Sequence, residues 1–205
     1  MQNTPFKQRP LRRHLASLLV ASAAAVLLPV AAWAQGTPVA ETPKVRLSTS
    51  MGDIVLELYP DKSPKTVENF LQYVRDKHYD GTVFHRVINN FMIQGGGFNA
   101  DFQQKATRPS IPLEASNGLK NDRGTIAMAR TQNPNSATAQ FFINVVDNAA
   151  LNAPNPDGYG YAVFGKVTAG MDVVDKIKLV PVGNQGMHQN VPKTPLTILK
   201  ATLEK

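Results

Sequence analysis

Between Val45 and Ser50, and again between Ile54 and Tyr59, apolar and polar residues alternate, with Met51-Gly52-Asp53 between the two runs. A period of two broken by a glycine predicts two strands joined by a tight turn. The period then changes. Val67, Phe70, Leu71 and Val74 recur at three- and four-residue intervals behind Ser63, a candidate cap, and Pro64, which suits a first helical turn. Tyr79-Asp80-Gly81 should turn the chain into an apolar strand over Val83–Ile88, and Phe91–Gln94 should form another, ended by Gly95-Gly96-Gly97. Residues 98–122 carry Pro109, Pro112 and Asn117-Gly118 and should be irregular. Strands are expected over Thr125–Ala129, Gln140–Val145 and Tyr161–Val167, a second short helix over Met171–Ile177, and a last strand over Leu196–Leu203. No repeat and no linker divides this body. Short strands with two helices predict a mainly β fold, an all-β barrel or sandwich whose ends the helices cover.

The first forty residues follow another pattern. Lys7, Arg9, Arg12 and Arg13 give a basic start without an acid, Leu15–Val30 is an apolar core of about 16 residues, and Ala32-Trp33-Ala34 precedes Gln35. That order predicts a secretory signal peptide over residues 1–34, cut after Ala34. A membrane anchor is the rival, but the core contains Pro29 and falls short of the ~20 residues a spanning helix needs. Arg12-Arg13 leaves two export routes open, the general secretory and the twin-arginine. Residues 35–43 should be a loose leader, and 44–205 the folded domain.

Cleavage changes the charge. It removes four of the 22 basic residues and none of the 15 acidic ones, so the formal charge falls from +7 to +3 (18 minus 15). With no basic run in the body, neither a nucleic acid nor a membrane is expected as partner. The chain has no cysteine, which excludes disulfides, thiol nucleophiles and thiolate metal sites. Of the four histidines, His14 lies in the leader, and His78, His85 and His188 share no metal-ligand spacing. No serine sits in a G-x-S-x-G elbow, although residue counts alone leave a triad open. The triple glycine lacks the G-x-x-x-x-G-K-[ST] pattern of a phosphate cradle. No cofactor is expected.

What remains is arginine, amide and large apolar residues on strands. In Phe84-His85-Arg86-Val87-Ile88, strict alternation puts Arg86 on the face opposite His85. Met92 and Gln94 share a face, as do Gln140 and Phe142, so each pair sets an amide beside a large apolar group. Any one of Phe84, Phe91, Met92, Phe141 and Phe142 could simply be core. Arg86 is harder to dismiss in that way, because an arginine inside an apolar strand needs water or a specific acceptor.

Phe84-His85-Arg86-Val87-Ile88, Phe91-Met92-Ile93-Gln94-Gly95-Gly96 and Gln140-Phe141-Phe142-Ile143 resemble the signature of the cyclophilin-type prolyl isomerases. Pro64–Phe70, Arg123–Arg130 and Val163–Val167 extend the resemblance in consistent order over about residues 44 to 203. Gly95-Gly96-Gly97-Phe98 and Tyr161-Ala162-Val163-Phe164 are similar to the periplasmic cyclophilins of Gram-negative bacteria.

The resemblance implies a closed eight-stranded antiparallel β-barrel capped by two α-helices, with the active groove on the outside of the barrel. It implies that Arg86 is the catalytic arginine and that Phe91, Met92, Phe142 and Leu151 line a proline pocket. Gln94 and Gln140 would hold the substrate backbone, Ala129, Arg130 and Tyr161 would complete the groove, and Phe164 would lie beneath it. His85 is assigned to structure. The implied activity is prolyl cis–trans isomerisation, which breaks no bond and agrees with the missing nucleophile and metal. The implied partners are proline-containing, unfolded or partly folded exported proteins, met in the periplasm by a monomer.

The sequence departs from the family pattern at Ala150, where eukaryotic relatives often carry a tryptophan before the pocket leucine. That lowers one wall and implies weak binding of cyclosporin-like macrocycles. Tyr161 stands where the family often has histidine and keeps a flat wall with a polar tip. Two other readings compete. The domain could be a holdase that captures proline-bearing segments with incidental turnover, or an exported barrel carrying a small apolar ligand in its lumen; a lumen filled with aromatic side chains would end the latter.

Overall fold

The computed structural model describes residues 42–204, which form ten strands and two α-helices. The signal peptide expected over residues 1–34 and most of the expected leader lie outside the described residues. Strand β1 (Lys44–Thr49) and β2 (Gly52–Leu58) form the expected hairpin, closed where Thr49 Oγ1 donates to the Gly52 carbonyl at 2.6 Å. Helix α1 (Pro64–Arg75) follows, then β3 (Thr82–Ile88), β4 (Met92–Asn99), β5 (Thr125–Met128), β6 (Phe141–Asn144), β7 (Val163–Ala169), α2 (Met171–Lys178), β8 (Val182–Gln185), β9 (His188–Pro192) and β10 (Thr197–Leu203).

Eight strands close into an antiparallel barrel in the order β1-β10-β3-β4-β6-β5-β7-β2. Closure leaves no open sheet edge and turns each alternating strand into a wall with one face to the lumen. Ile126 and Met128 on β5, Phe141 and Ile143 on β6, and Phe164 on β7 enter the main core, whereas Ala127, Phe142 and Val163 belong to a separate apolar cluster outside it. Strand parity therefore divides two hydrophobic sites between the two faces of one sheet.

The lumen is packed with rings. Phe70 of α1 lies 5.0 Å from Tyr79, 5.7 Å from Phe141 and 5.2 Å from Phe164, and all four are fully buried. No ligand-sized space remains, so the lumen-carrier reading ends here. Helix α1 begins beyond the end of β2, while Val173 of α2 packs against Gly52 at its start, so the helices cover opposite ends of the barrel.

Four local expectations are corrected. Ser63 does not cap α1 with its side chain; its hydroxyl donates to the Val163 carbonyl at 2.9 Å and accepts from Asn117. Strand β4 does not stop at the glycines but runs through them to Asn99. Gly96 has φ +85°, and a Cβ there would stand 2.8 Å from the Tyr79 ring, so a missing side chain lets the strand continue against the aromatic core. The third correction is the β8–β9 hairpin, a second sheet in a stretch given no element by its apolar pattern. The fourth concerns β3. Phe84 pairs with Gly95 and Arg86 with Gln94, so two residues of β3 oppose one of β4. Phe84 and Val87 face the core, and His85 and Arg86 both face outward. A β-bulge thus overrides the alternation that had set Arg86 opposite His85.

Candidate active site

Met92, Phe142 and Leu151 form the apolar floor of a cleft on the barrel wall, packed on the buried Ala127 and Val163 of the same outward cluster. Met92 comes from β4 and Phe142 from β6, which are hydrogen-bonded neighbours with Gln94 paired to Phe142. Leu151 ends a short 3-10 turn, and the Tyr161 amide N–H donates to the Leu151 carbonyl at 3.0 Å, bringing that wall over the sheet. The cleft has a volume of about 380 Å³. It brings together Arg86, Phe91, Met92, Gln94, Ala129, Arg130, Phe142, Leu151 and Tyr161, nine of the ten residues proposed from sequence. Gln140, the tenth, stands behind the lining, where its Oε1 accepts from Gln94 Nε2 at 2.9 Å. A Cβ on Gly97 would stand 2.5 Å from the Gln140 side chain, so the third glycine gives that glutamine its room.

Two arginines enter the cleft. Arg86 is half-buried, and its one side-chain partner among the described residues is Gln94 Oε1, at a long 3.5 Å. Arg130 is held much more firmly. Its Nη2 meets Asp157 at 2.8 Å, Nε and Nη2 donate to the Gly160 carbonyl at 3.0 and 2.8 Å, and Nη1 donates to Thr131. The guanidinium also lies 4.5 Å from the centre of the Tyr161 ring. Desolvation is the largest single effect on the Asp157 carboxyl and raises its pKa, but the Arg130 contact together with the Tyr159 amide N–H outweighs it and holds the carboxyl below the usual range.

A buried asparagine network supports three walls, and it was not singled out in the sequence. Asn148 Nδ2 donates to the Phe91 carbonyl at 2.8 Å and to Asn144 Oδ1 at 2.7 Å. Asn144 Nδ2 in turn donates to Asn121 Oδ1, and Asn121 Nδ2 donates to the carbonyls of Leu151 and Tyr161 at 3.2 and 3.3 Å. The visible signal was only Asn144 on the outward face of β6, two residues from Phe142, where an amide that becomes buried requires partners.

His85, expected to be structural, is 4% exposed and packs edge-on against Phe98 with ring centroids 4.8 Å apart. Burial, followed by the neighbouring His188, pushes its pKa down to about 4, so it is neutral near pH 7. Phe164 lies on the lumen side of the wall, while its neighbour Val163 belongs to the outward cluster packed beneath the cleft floor. Ala150 is exposed, consistent with a low wall beside Leu151. Among the described residues, no group of three or more His, Cys, Asp or Glu could hold a metal ion.

The architecture and the cleft coincide with one family. Residues 44–203 match the family model described as cyclophilin type peptidyl-prolyl cis-trans isomerase/CLD. The chain belongs to the cyclophilin-type peptidyl-prolyl cis-trans isomerases. It is 58% identical over 163 residues to peptidyl-prolyl cis-trans isomerase B of Escherichia coli, covering 78% of this chain and 99% of that protein. Identity to peptidyl-prolyl cis-trans isomerase A of Dickeya dadantii is 50% over 186 residues, 91% of this chain and 97% of the relative. A Cryptosporidium parvum cyclophilin structure superposes with a TM-score of 0.66 at 27% identity, over 80% of this chain and 98% of its own. Another structure of that cyclophilin was determined in the presence of the dipeptide Ala-Pro. The chain is thus a prolyl isomerase with the eight-stranded barrel of its family.

Proposed function

We propose that the outer cleft is the catalytic site and that Arg86 is the group that lowers the barrier, acting on proline-bearing segments of exported proteins in the periplasm. Rotation about an X–Pro amide faces a barrier of roughly 18–20 kcal/mol because the planar form is stabilised by resonance. Any interaction that favours the twisted amide over the planar one raises the rate. As the bond twists, the proline nitrogen becomes pyramidal and regains a lone pair. Arg86 donates to that nitrogen or to the prolyl carbonyl, while Phe91, Met92, Phe142 and Leu151 clamp the ring. Gln94, anchored from behind by Gln140, holds the backbone on the other side of the rotating bond, and Ala129, Arg130 and Tyr161 close the groove. The apolar floor strengthens the contact by excluding water.

The observation that carries this reading is the contrast between a loosely held cation and the apolar floor beside it. Arg86 has one long protein contact and four N–H donors without a side-chain acceptor among the described residues. Arg86→Ala should lower kcat/KM about 100-fold in an exchange-NMR isomerisation assay, with the circular dichroism spectrum unchanged. Full activity in that variant would remove Arg86 from the mechanism. The export role has its own support in the signal-like residues 1–34. N-terminal sequencing of protein recovered from the periplasm should begin at Gln35; recovery only in the cytoplasm with an intact leader would overturn the location. The monomer is tested by light scattering, which should return the mass of a single chain.

A further inference from the structure

The β8–β9 hairpin forms its own two-stranded sheet and lies on the outer face of β3. Its docking is aromatic. His188 of β9 packs 5.0 Å from Phe98, 5.3 Å from Phe102 and 6.5 Å from His85. Between hairpin and barrel is a second cleft of about 380 Å³, with His85, Arg86 and Gln94 on the barrel side and Met187, His188 and Gln189 on the hairpin side. Arg86 and Gln94 also line the proline cleft, so the two clefts meet at the guanidinium.

That junction gives the second cleft a place in the reaction. If Arg86 reaches the prolyl carbonyl, the residue that follows proline leaves the site past the guanidinium, toward the hairpin. Asn190 completes the hairpin side, and the lining is more polar than apolar; its soft surface is the Met187 thioether and the two imidazole rings. Met187 is 97% exposed at the hairpin tip, beside Gly186 with φ +58°, and makes no contribution to the packed core. A flexible thioether in water is adaptable contact surface for a partner. His85 adds a ring kept neutral by burial, with its Nδ1 shut from solvent. No carboxylate lines the cleft. Its one permanent cation, Arg86, argues against a metal ion between the two imidazoles.

We propose that the hairpin cleft is a substrate subsite that takes a large apolar or aromatic side chain from the residues immediately after proline, with Met187 as its outer contact. This rests on the orientation that the proposed role of Arg86 gives the substrate. The occupant follows from continuity: a chain seated in the first cleft has the second directly in its path, and the thioether and imidazole surfaces match an apolar side chain better than a charged one.

End-blocked Ala-Ala-Pro-Phe and Ala-Ala-Pro-Gly peptides test the subsite by protease-free exchange NMR. The phenylalanine peptide should show kcat/KM about five- to tenfold higher, as expected for partial burial of a ring. Met187→Ser should bring that ratio close to one, and Met187→Leu should retain it. Titration of the same peptides into ¹⁵N-labelled protein adds a readout independent of turnover. The amides of Gly186, Met187 and His188 should shift with the phenylalanine peptide and stay in place with the glycine peptide. Unmoved hairpin amides, or a ratio that survives Met187→Ser, overturn the subsite. Shifts that persist without any isomerisation bring down the catalytic reading of the first cleft and leave the subsite standing.

Discussion

Arg86 and Arg130 face the same cleft, carry the same guanidinium and are used in opposite ways. The Arg130 side chain is 1% exposed and spends its donors on Asp157, Gly160 and Thr131 while its plane covers Tyr161. Arg86 is half-buried, holds one long contact to Gln94 and has no ion pair among the described residues. A donor already satisfied by its own protein has little to give a substrate, whereas an unsatisfied one beside an apolar floor can bind charge that develops in a transition state. Residue type and proximity do not separate the two. Their hydrogen-bond accounts do, and they assign Arg130 to holding the wall and Arg86 to the reacting bond.

Removing each arginine in turn is the most direct attack on that contrast. Arg86→Ala carries the largest expected effect, the roughly 100-fold fall in kcat/KM, with little change in Tm. Arg130→Ala should do the reverse: a Tm lower by roughly 5–8 °C in scanning calorimetry, from the buried Gly160 carbonyl left without its donors and the lost cover over Tyr161, and a fall in kcat/KM of less than tenfold. If Arg130→Ala proves as inactive as Arg86→Ala while remaining fully stable, the division of labour is wrong.

Asn144→Ala probes the same distinction one layer further in. Asn144 is fully buried between Asn148, which holds the Phe91 carbonyl, and Asn121, which holds the Leu151 and Tyr161 carbonyls. Truncation leaves two buried amide partners unsatisfied, and Tm should fall by roughly 4–6 °C. Because the network positions the clamp rather than the donor, KM should rise more than kcat falls. Unchanged KM in a destabilised variant would reduce the network to a purely structural role.

Alternation made the barrel strands and the outward setting of Met92, Gln94 and Phe142 legible. Phe91, Ala129, Arg130, Leu151 and Tyr161 lie off the strands and were assigned to the cleft by the resemblance to the family. Outward positions such as Met92, Gln94 and Phe142 lie on strands whose alternate residues must fill the lumen, so a period of two separates the cleft from the core. It failed where that period is interrupted. At His85-Arg86 a bulge turns two successive side chains outward, and nothing in Phe84-His85-Arg86-Val87 marks an extra residue until the partner strand is known. The β8–β9 hairpin escaped because it is mostly polar, with burial confined to Val191 and Pro192 at its base and the His188 ring docking it in place of an alternating apolar face. The asparagine network escaped because its partners come from segments far apart in the chain.

The bulge also joins the catalytic proposal to a smaller, measurable effect. It places neutral His85 beside Arg86, with His188 across the hairpin cleft, and burial is the main cause of the histidine's depressed pKa of about 4 against an ordinary 6.5. The unfolded chain therefore binds the His85 proton more tightly than the folded one. The stability that comes from keeping the ring neutral is present above pH 6.5 and is lost as pH falls from there through about 4. Between pH 7.5 and 5.5 the loss should be about 1 kcal/mol. The five aspartates held below their usual range, Asp53, Asp76, Asp157, Asp172 and Asp175, respond at lower pH, whereas His78, whose pKa burial also lowers, adds a loss of the same sign as His85. The comparison must therefore be between variants. His85→Phe keeps a ring against Phe98 and removes the proton, so urea unfolding of this variant should lose about 1 kcal/mol less than wild type over the same interval. Equal losses in the two proteins would mean that His85 is solvated in the folded state and that the bulge does not bury it beneath the hairpin.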